Sequence, residues 1–294
     1  MPVWEAEIVV DEPLARRLLG QFPELEVGTL RLLGYGWDYT IWVVDERCAF
    51  RFPRREIVIP GTEREIRVLP KIAPLLPVPV PEPLFVGGPT EEYPWPFFGS
   101  VLLPGNDPSS AGLDAGGRVA VALQLAEFLR ALHAVELDEP LPLDVNGRAD
   151  MRRRVPMART ALEEIEHLWR APPSVGEILA EAEELPAPEL TAVVHGDLHF
   201  RQVLVEGRNV TGVLDWVDVC RSDPAIDLVL FWSFLDAPQR PAFLDAYGEA
   251  TDQQLLRARV LAFNLGAALA AQAHAEGLAA VEREALAGLD RASR

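Results

Sequence analysis

Residues 193–218 read VVHGDLHFRQVLVEGRNVTGVLDWVD. Two apolar, β-branched runs, Val203-Leu204-Val205 and Val213-Leu214, flank the polar Glu206-Gly207-Arg208-Asn209. That pattern predicts a short hairpin with a polar turn. The loop before it carries His195, Asp197, His199 and Gln202, and Asp215 follows its second strand. A hairpin holds the outer ends of its strands side by side. Asp197, Gln202 and Asp215 are therefore expected to face one pocket.

Phosphoryl transfer needs a carboxylate near the attacking hydroxyl and oxygen ligands for Mg²⁺ on the nucleotide phosphates. The protein-kinase catalytic loop, H-R-D-x-x-x-x-N followed by a D-F-G aspartate, meets that need. His195, Asp197 and Gln202 fall at the first, third and eighth places of that pattern, and Asp215 stands where the D-F-G aspartate would. Gln202 departs from the asparagine. Its amide oxygen can still bind a metal, from a side chain one methylene longer.

HGDLHFRQVLV followed by GVLDWVDVCRSDPAIDL closely resembles the aminoglycoside phosphotransferase family of small-molecule kinases, macrolide phosphotransferases included. Its members commonly read HGDLHPGNLLV, then GVIDW, then GDPAYDLA. The resemblance covers the C-terminal half well and the N-terminal half more loosely. It implies an α+β, two-lobed protein-kinase-like fold: an antiparallel-sheet lobe over residues 1–104 that binds nucleotide, and a mainly helical catalytic and substrate-binding lobe over 105–294. It also implies ATP and Mg²⁺ as cofactors, a hydroxyl-bearing small molecule as acceptor, and a link to antibiotic resistance. Asp197 then orients the acceptor hydroxyl, while Asp215 and Gln202 hold the metal. His195 props the loop, His199 fills the HGDLH pattern or faces the phosphates, and Asp223 and Asp227 support the active-site loops. Asp218 reads equally as a second acid near the metal or as a surface residue.

The 294 residues suffice for one large domain or two lobes, and 49% hydrophobic with 24% charged residues describes a globular chain. A net charge of −18 argues against a nucleic-acid partner. It is compatible with a cationic acceptor such as an amino sugar, and equally with acids that only keep the protein soluble. Cys48 and Cys220 form no metal-type spacing or disulfide framework, and the N-terminus shows no basic-then-apolar leader. A cytoplasmic protein is expected, with no apolar run long enough to span a bilayer. Oligomeric state leaves no mark on the sequence.

Lys71 is the only lysine, so arginine must fill the basic roles. In the N-terminal part, residues 11–22 read as a short amphipathic helix capped by Asp11. An apolar run ending at Gly34-Tyr35-Gly36, then Thr40–Val44 and Cys48–Phe52, read as three strands, with Asp45-Glu46-Arg47 turning between the last two. The resemblance places Gly34, Tyr35, Gly36 and Trp37 in the glycine loop over the phosphates. Arg51 lies on the opposite strand face from Phe50 and Phe52. The resemblance makes Arg51 the phosphate-binding cation, paired with Glu65 from the next helix; Arg54 and Arg55 read as surface residues. Thr62 and Glu65 also spell a capping box, which starts that helix at 62. The proline-rich 74–83 reads as extended. Phe97–Leu103 reads as the strand leading to the hinge, where the resemblance puts adenine contacts near Ser100 to Leu102.

In the second half, 117–135, 148–171, 174–185, 253–274 and 278–289 read as helices. His133 reads as a residue of a helix C-terminus. Two rival readings remain: a metabolic kinase of choline, homoserine or a sugar-like acceptor, and a nucleotide-binding module that has lost catalysis, for which Gln202 and Arg51 are the two departures.

Overall fold

The computed structural model describes residues 6–36 and 38–294 and divides the chain into two compact units. The first comprises Met1–Pro74 and Pro79–Leu103; the second comprises Leu75–Val78 and Pro104–Arg294. The short Leu75–Val78 stretch thus groups with the C-terminal unit, although it lies inside the N-terminal part of the sequence.

The first unit is built on an antiparallel sheet. Helix α1 (Glu12–Leu19) starts at Asp11, whose Oδ1 accepts the Leu14 N–H at 2.9 Å. Strands β1 (Leu30–Tyr35), β2 (Tyr39–Val44) and β3 (Cys48–Pro53) form a meander, followed by α2 (Ile59–Ile72), β4 (Phe85–Gly87) and β5 (Phe97–Val101). The sheet order is β1-β2-β3-β5-β4. Asp45 and Glu46 take the left-handed conformation that a tight hairpin turn requires. Alternation along β3 sends Phe50 and Phe52 into an aromatic core with Phe22, Tyr93 and Phe97. Gly99 lies opposite Phe50, and a Cβ there would sit 2.4 Å from its ring. Arg51 points to the other face, as alternation predicts.

Helix α2 corrects the expected start. It begins at Ile59 with Pro60 in its first turn, so Thr62 and Glu65 lie inside it. Thr62 bonds the Val58 carbonyl at 3.1 Å and the Tyr39 hydroxyl at 2.8 Å, not the Glu65 N–H. A proline at the first turn outweighs a capping box, because its fixed φ is already helical.

The second unit is mainly helical: α3 (Ala115–His133), α4 (Met151–Glu164) and α5 (Pro173–Glu183) precede a small β region, and α6 (Val229–Ser233), α7 (Arg240–Tyr247), α8 (Asp252–Glu276) and α9 (Ala279–Ser293) follow it. The β region holds β6 (Ala192–Val194), β7 (Val203–Glu206), β8 (Asn209–Val213) and β9 (Cys220–Ser222). β7 and β8 form the expected hairpin, with Glu206 opposite Asn209. β6 pairs antiparallel with β9, Val194 opposite Cys220. These two ladders set the ends of both loops. Asp223 caps a 3₁₀ turn at Pro224–Ile226, and the five residues of α6 follow it. No described helix is long and apolar enough to cross a membrane.

Candidate active site

The loop His195–Gln202 leaves β6 through Gly196. Its φ of +94° suits glycine, and a Cβ would lie 2.4 Å from the Asp218 carbonyl oxygen. Asp227 fixes the turn from beneath: its carboxylate accepts the N–H groups of His195 (2.7 Å) and Gly196 (3.0 Å). Burial alone would raise the Asp227 pKa. The hydrogen bond from His133, with the neighbouring histidines and the Gly196 N–H, carries it below the usual carboxylate range. His133, in the last turn of α3, joins Asp227 (3.1 Å) to the Tyr247 hydroxyl (2.8 Å).

His195 is buried and ties the two loops together. Its Nδ1 accepts the Asp197 N–H at 3.2 Å, so its Nε2 carries the proton and donates to the Leu214 carbonyl at 2.8 Å. Burial holds its pKa down despite the acids around it. His199 accepts the Arg201 N–H at 3.3 Å and caps the Phe200–Gln202 turn. Burial pushes it down to about 3, so it is neutral at physiological pH.

Asp215 follows the bond from the Leu214 N–H to the Gln202 carbonyl (2.7 Å) that closes the hairpin. It takes φ of +64°, a left-handed conformation that a non-glycine residue holds only under constraint. The Gln202 amide nitrogen donates to Asp215 Oδ2 at 3.1 Å, so the two side chains reach one point. Asp215 offers hard carboxylate oxygens there, and Gln202, which turns its amide nitrogen to Asp215 in this arrangement, would bring its amide oxygen to a metal once the amide turns over. Mg²⁺ asks few ligands of the protein because phosphates and water complete its shell. The donor set fits Mg²⁺, whereas no cluster of His, Cys, Asp and Glu among the described residues would hold a metal unaided.

Asp197 keeps 25% of its side chain exposed. Its buried Oδ1 sits 3.0 Å from Arg148 Nη2, without an aligned hydrogen bond. That leaves Oδ2 as the oxygen a hydroxyl can meet. Burial pushes the Asp197 carboxyl up to about 7. Arg148 pulls against that rise, while the charges of Asp218, Asp215 and Asp227 add to it. Asp197 and Asp215 are therefore within electrostatic reach of each other.

Arg148 is the site residue that sequence reasoning missed. The loop carrying it docks beside β9 through Leu143, which bridges to Arg221. Its guanidinium meets Asp197, the Asp218 carboxylate at 2.6 Å and the Gly196 carbonyl. Burial lowers its pKa, but the charges of Asp197 and Asp218 outweigh that and raise it. Asp218 is thus committed to Arg148 and is not a free surface acid.

In the first unit, Arg51 and Glu65 are buried and paired, Nη1 to Oε1 at 2.9 Å. Tyr39 places its ring 4.3 Å from the Arg51 guanidinium and its hydroxyl 2.8 Å from Glu65 Oε2. Gly34 and Gly36 have neither positive φ nor any atom within 4 Å of a built Cβ. Sterics therefore do not demand glycine at either position. Trp37 and the side chain of Tyr35, expected in the same loop, lie outside the described residues. Arg54 bonds the Gly36 carbonyl and Arg55 pairs with Asp38, so both brace that loop; Arg55, with 13% side-chain exposure, is no surface residue. Ser100 is buried in β5, and the Leu102 N–H is committed to the Arg47 carbonyl at 2.8 Å.

The family model described as "Phosphotransferase enzyme family" matches residues 29–263. Among solved structures, APH(2″)-IIia in its GDP and kanamycin complex superposes with a TM-score of 0.68 at 19% identity, covering 96% of this chain and 98% of that one. Macrolide 2′-phosphotransferase MphH from Brachybacterium faecium gives 0.64 at 23% identity over 95% and 98%. These likenesses establish the kinase-like fold: an antiparallel sheet followed by a mainly helical part. Among curated proteins, 65 residues are 37% identical to the uncharacterized protein YcbJ of Bacillus subtilis (strain 168), or 21% of each chain. A further match, 26% identical over 241 residues, is to acyl-CoA dehydrogenase family member 10 of Mus musculus, covering 77% of this chain and 22% of that protein. The chain spans about a fifth of the length of the curated relatives it matches.

Proposed function

This chain belongs to the phosphotransferase enzyme family, and we propose that it moves the γ-phosphate of ATP to a hydroxyl of a small molecule. The observation that carries the reading is the pairing of Gln202 with Asp215 at 3.1 Å beside a partly exposed Asp197 that feels the Asp215 charge.

In this reading Asp215 and Gln202 hold Mg²⁺, which when bound neutralises charge on the β- and γ-phosphates. Asp197 accepts a hydrogen bond from the acceptor hydroxyl and aims it at the phosphorus. If the transition state is loose, the position of Asp197 matters more than its basicity. Arg51, held by Glu65, offers its guanidinium to phosphate oxygens. Gly34 and Gly36 leave room for the phosphates, and Ser100 to Leu102 carry the base contact, where Leu102 has only its carbonyl left to offer. The nucleotide-bound relatives, with GDP in the APH(2″)-IIia structure, support a nucleotide site here. We place the boundary between the nucleotide-binding and catalytic parts near residues 104–105 and the protein in the cytoplasm.

The test is Mg²⁺-dependent ATP turnover over a panel of hydroxyl compounds that includes aminoglycosides, macrolides, choline, homoserine and sugars. The reading expects acceptor-dependent ADP release that falls by roughly a hundredfold or more in Asp197→Asn. ADP release that ignores every acceptor and survives the substitution contradicts it.

A further inference from the structure

The charges beside Asp197 do not suit a polycation. Asp218 is spent on Arg148. Asp144 accepts the backbone N–H groups of Arg148 (2.7 Å) and Ala149 (3.0 Å). Asp227 accepts two further backbone N–H groups. The cations, by contrast, are in surplus. The segment Gly147–Arg154 reads GRADMRRR, in a chain whose net charge is −18. Arg153 lays its guanidinium over Gly147, next to Arg148: a Cβ on Gly147 would meet Nη1 at 2.3 Å. Arg154 is held by the Asn146 and Gly147 carbonyls. Its guanidinium feels the charges of Arg148, Asp144, Arg153 and Asp197, so these groups share one neighbourhood. Arg152 and Arg153 are exposed, and neither has an ion pair among the described residues.

Large apolar side chains flank this basic patch. Leu143 (62%) and Val145 (45%) are exposed on the loop that carries Arg148, and Met157 (47%) lies exposed one turn beyond Arg153 on α4. Met157 Sδ is 3.6 Å from Arg154 Nη1, which ties the apolar rim to the cations. The net negative charge does not override the patch, because salt screens charges beyond about 8 Å at physiological ionic strength.

Resting on the kinase reading, we infer that the acceptor is an anionic hydroxyl compound with an apolar body, its carboxylate or phosphate held by Arg153 with Arg152 while Asp197 meets its hydroxyl. Guanidinium groups match such oxyanions in shape and charge. A polycationic amino sugar would meet exposed arginines where it needs acids.

The experiment measures kcat/KM for phosphorylation of matched acceptors of one chain length: an aliphatic hydroxycarboxylate, its methyl ester, the corresponding amino alcohol and the hydroxyalkyl phosphate, with kanamycin as the polycation. The carboxylate or the phosphate should exceed the ester and the amine by roughly tenfold or more, and whichever leads identifies the anion. Arg153→Gln and Arg152→Gln should raise KM for the anionic acceptor more than kcat falls. Arg159→Gln, an exposed arginine paired with Glu183 at 3.0 Å, should leave the preference in place. Equal or better turnover of the ester, amine or kanamycin, failure to use either anion, or a preference that survives both substitutions overturns the inference alone. Absence of any Mg²⁺-dependent ATP turnover or ATP binding overturns the kinase reading beneath it.

Discussion

Asp197 pays twice for its position: most of its side chain is withdrawn from water, and the charges of three other acids act on it. Its folded pKa is raised from the ordinary 3.8 to about 7. A raised pKa means that the folded state binds the proton more tightly than the unfolded one. The associated stability is present below about pH 4 and is lost as pH rises through 7. Asp197→Asn should therefore be more stable than the parent at pH 8, by about 1–3 kcal/mol in urea unfolding, with the gap closing toward pH 5. A constant or reversed gap would show that Arg148 compensates the carboxylate fully. Gly196 sets a second test: alanine brings both a positive φ and a Cβ 2.4 Å from the Asp218 carbonyl. Gly196→Ala should lose about 2–3 kcal/mol of unfolding free energy, and near-wild-type stability would contradict the close approach. The meeting of the His195–Gln202 loop with Asp215 was legible in the sequence, because the hairpin between them sets its outer ends side by side. Arg148 was not. Its partners Gly196, Asp197 and Asp218 lie 48 to 70 positions later, and only the fold of the loop beside β9 brings them to it.

Among the elements, the buried Arg51–Glu65 pair joins β3 to α2. Strand alternation put Arg51 on the face opposite Phe50 and Phe52, and the family resemblance paired it with Glu65. The helix start was misread, because Thr62 and Glu65 imitate a cap that Pro60 pre-empts. The paired geometry survives that error, since Glu65 needs only to lie on the helix face turned to Arg51. Removing one partner strands the other charge where water cannot reach it. Arg51→Met should lose about 3–5 kcal/mol, and Arg51→Met combined with Glu65→Leu should recover much of it. If the double variant is no better than the single, the pair is not an isolated electrostatic unit. Helix α7 escaped sequence reading because it starts without a side-chain cap, unlike the equally short α1, whose Asp11 marks its start. The β7–β8 hairpin was legible as an element, but not its exact turn: Glu206 and Asn209, read as turn residues, are paired strand residues, and only Gly207, in the left-handed conformation, and Arg208 make the turn.

For the whole molecule, a charge of −18 means self-repulsion that salt relieves. Raising NaCl from about 20 mM to about 200 mM should raise Tm by a few degrees; a falling Tm would mean that the ion pairs outweigh the excess of acids. Composition alone suggested a cationic acceptor as readily as a merely soluble surface. An anionic acceptor is inferred instead from the local arrangement around Arg148 and Arg153, because a sum over the chain carries no information about which acids are already committed. The central claim is that Asp197 and Asp215 serve one metal–nucleotide complex. Anomalous scattering from Mn²⁺ in crystals grown with a non-hydrolysable ATP analogue tests it most directly. The account predicts a manganese peak in direct contact with the Asp215 carboxylate, with Gln202 reaching the same ion and Asp197 facing the terminal phosphate. A peak away from Asp215, or a nucleotide whose terminal phosphate lies out of reach of Asp197, would contradict it.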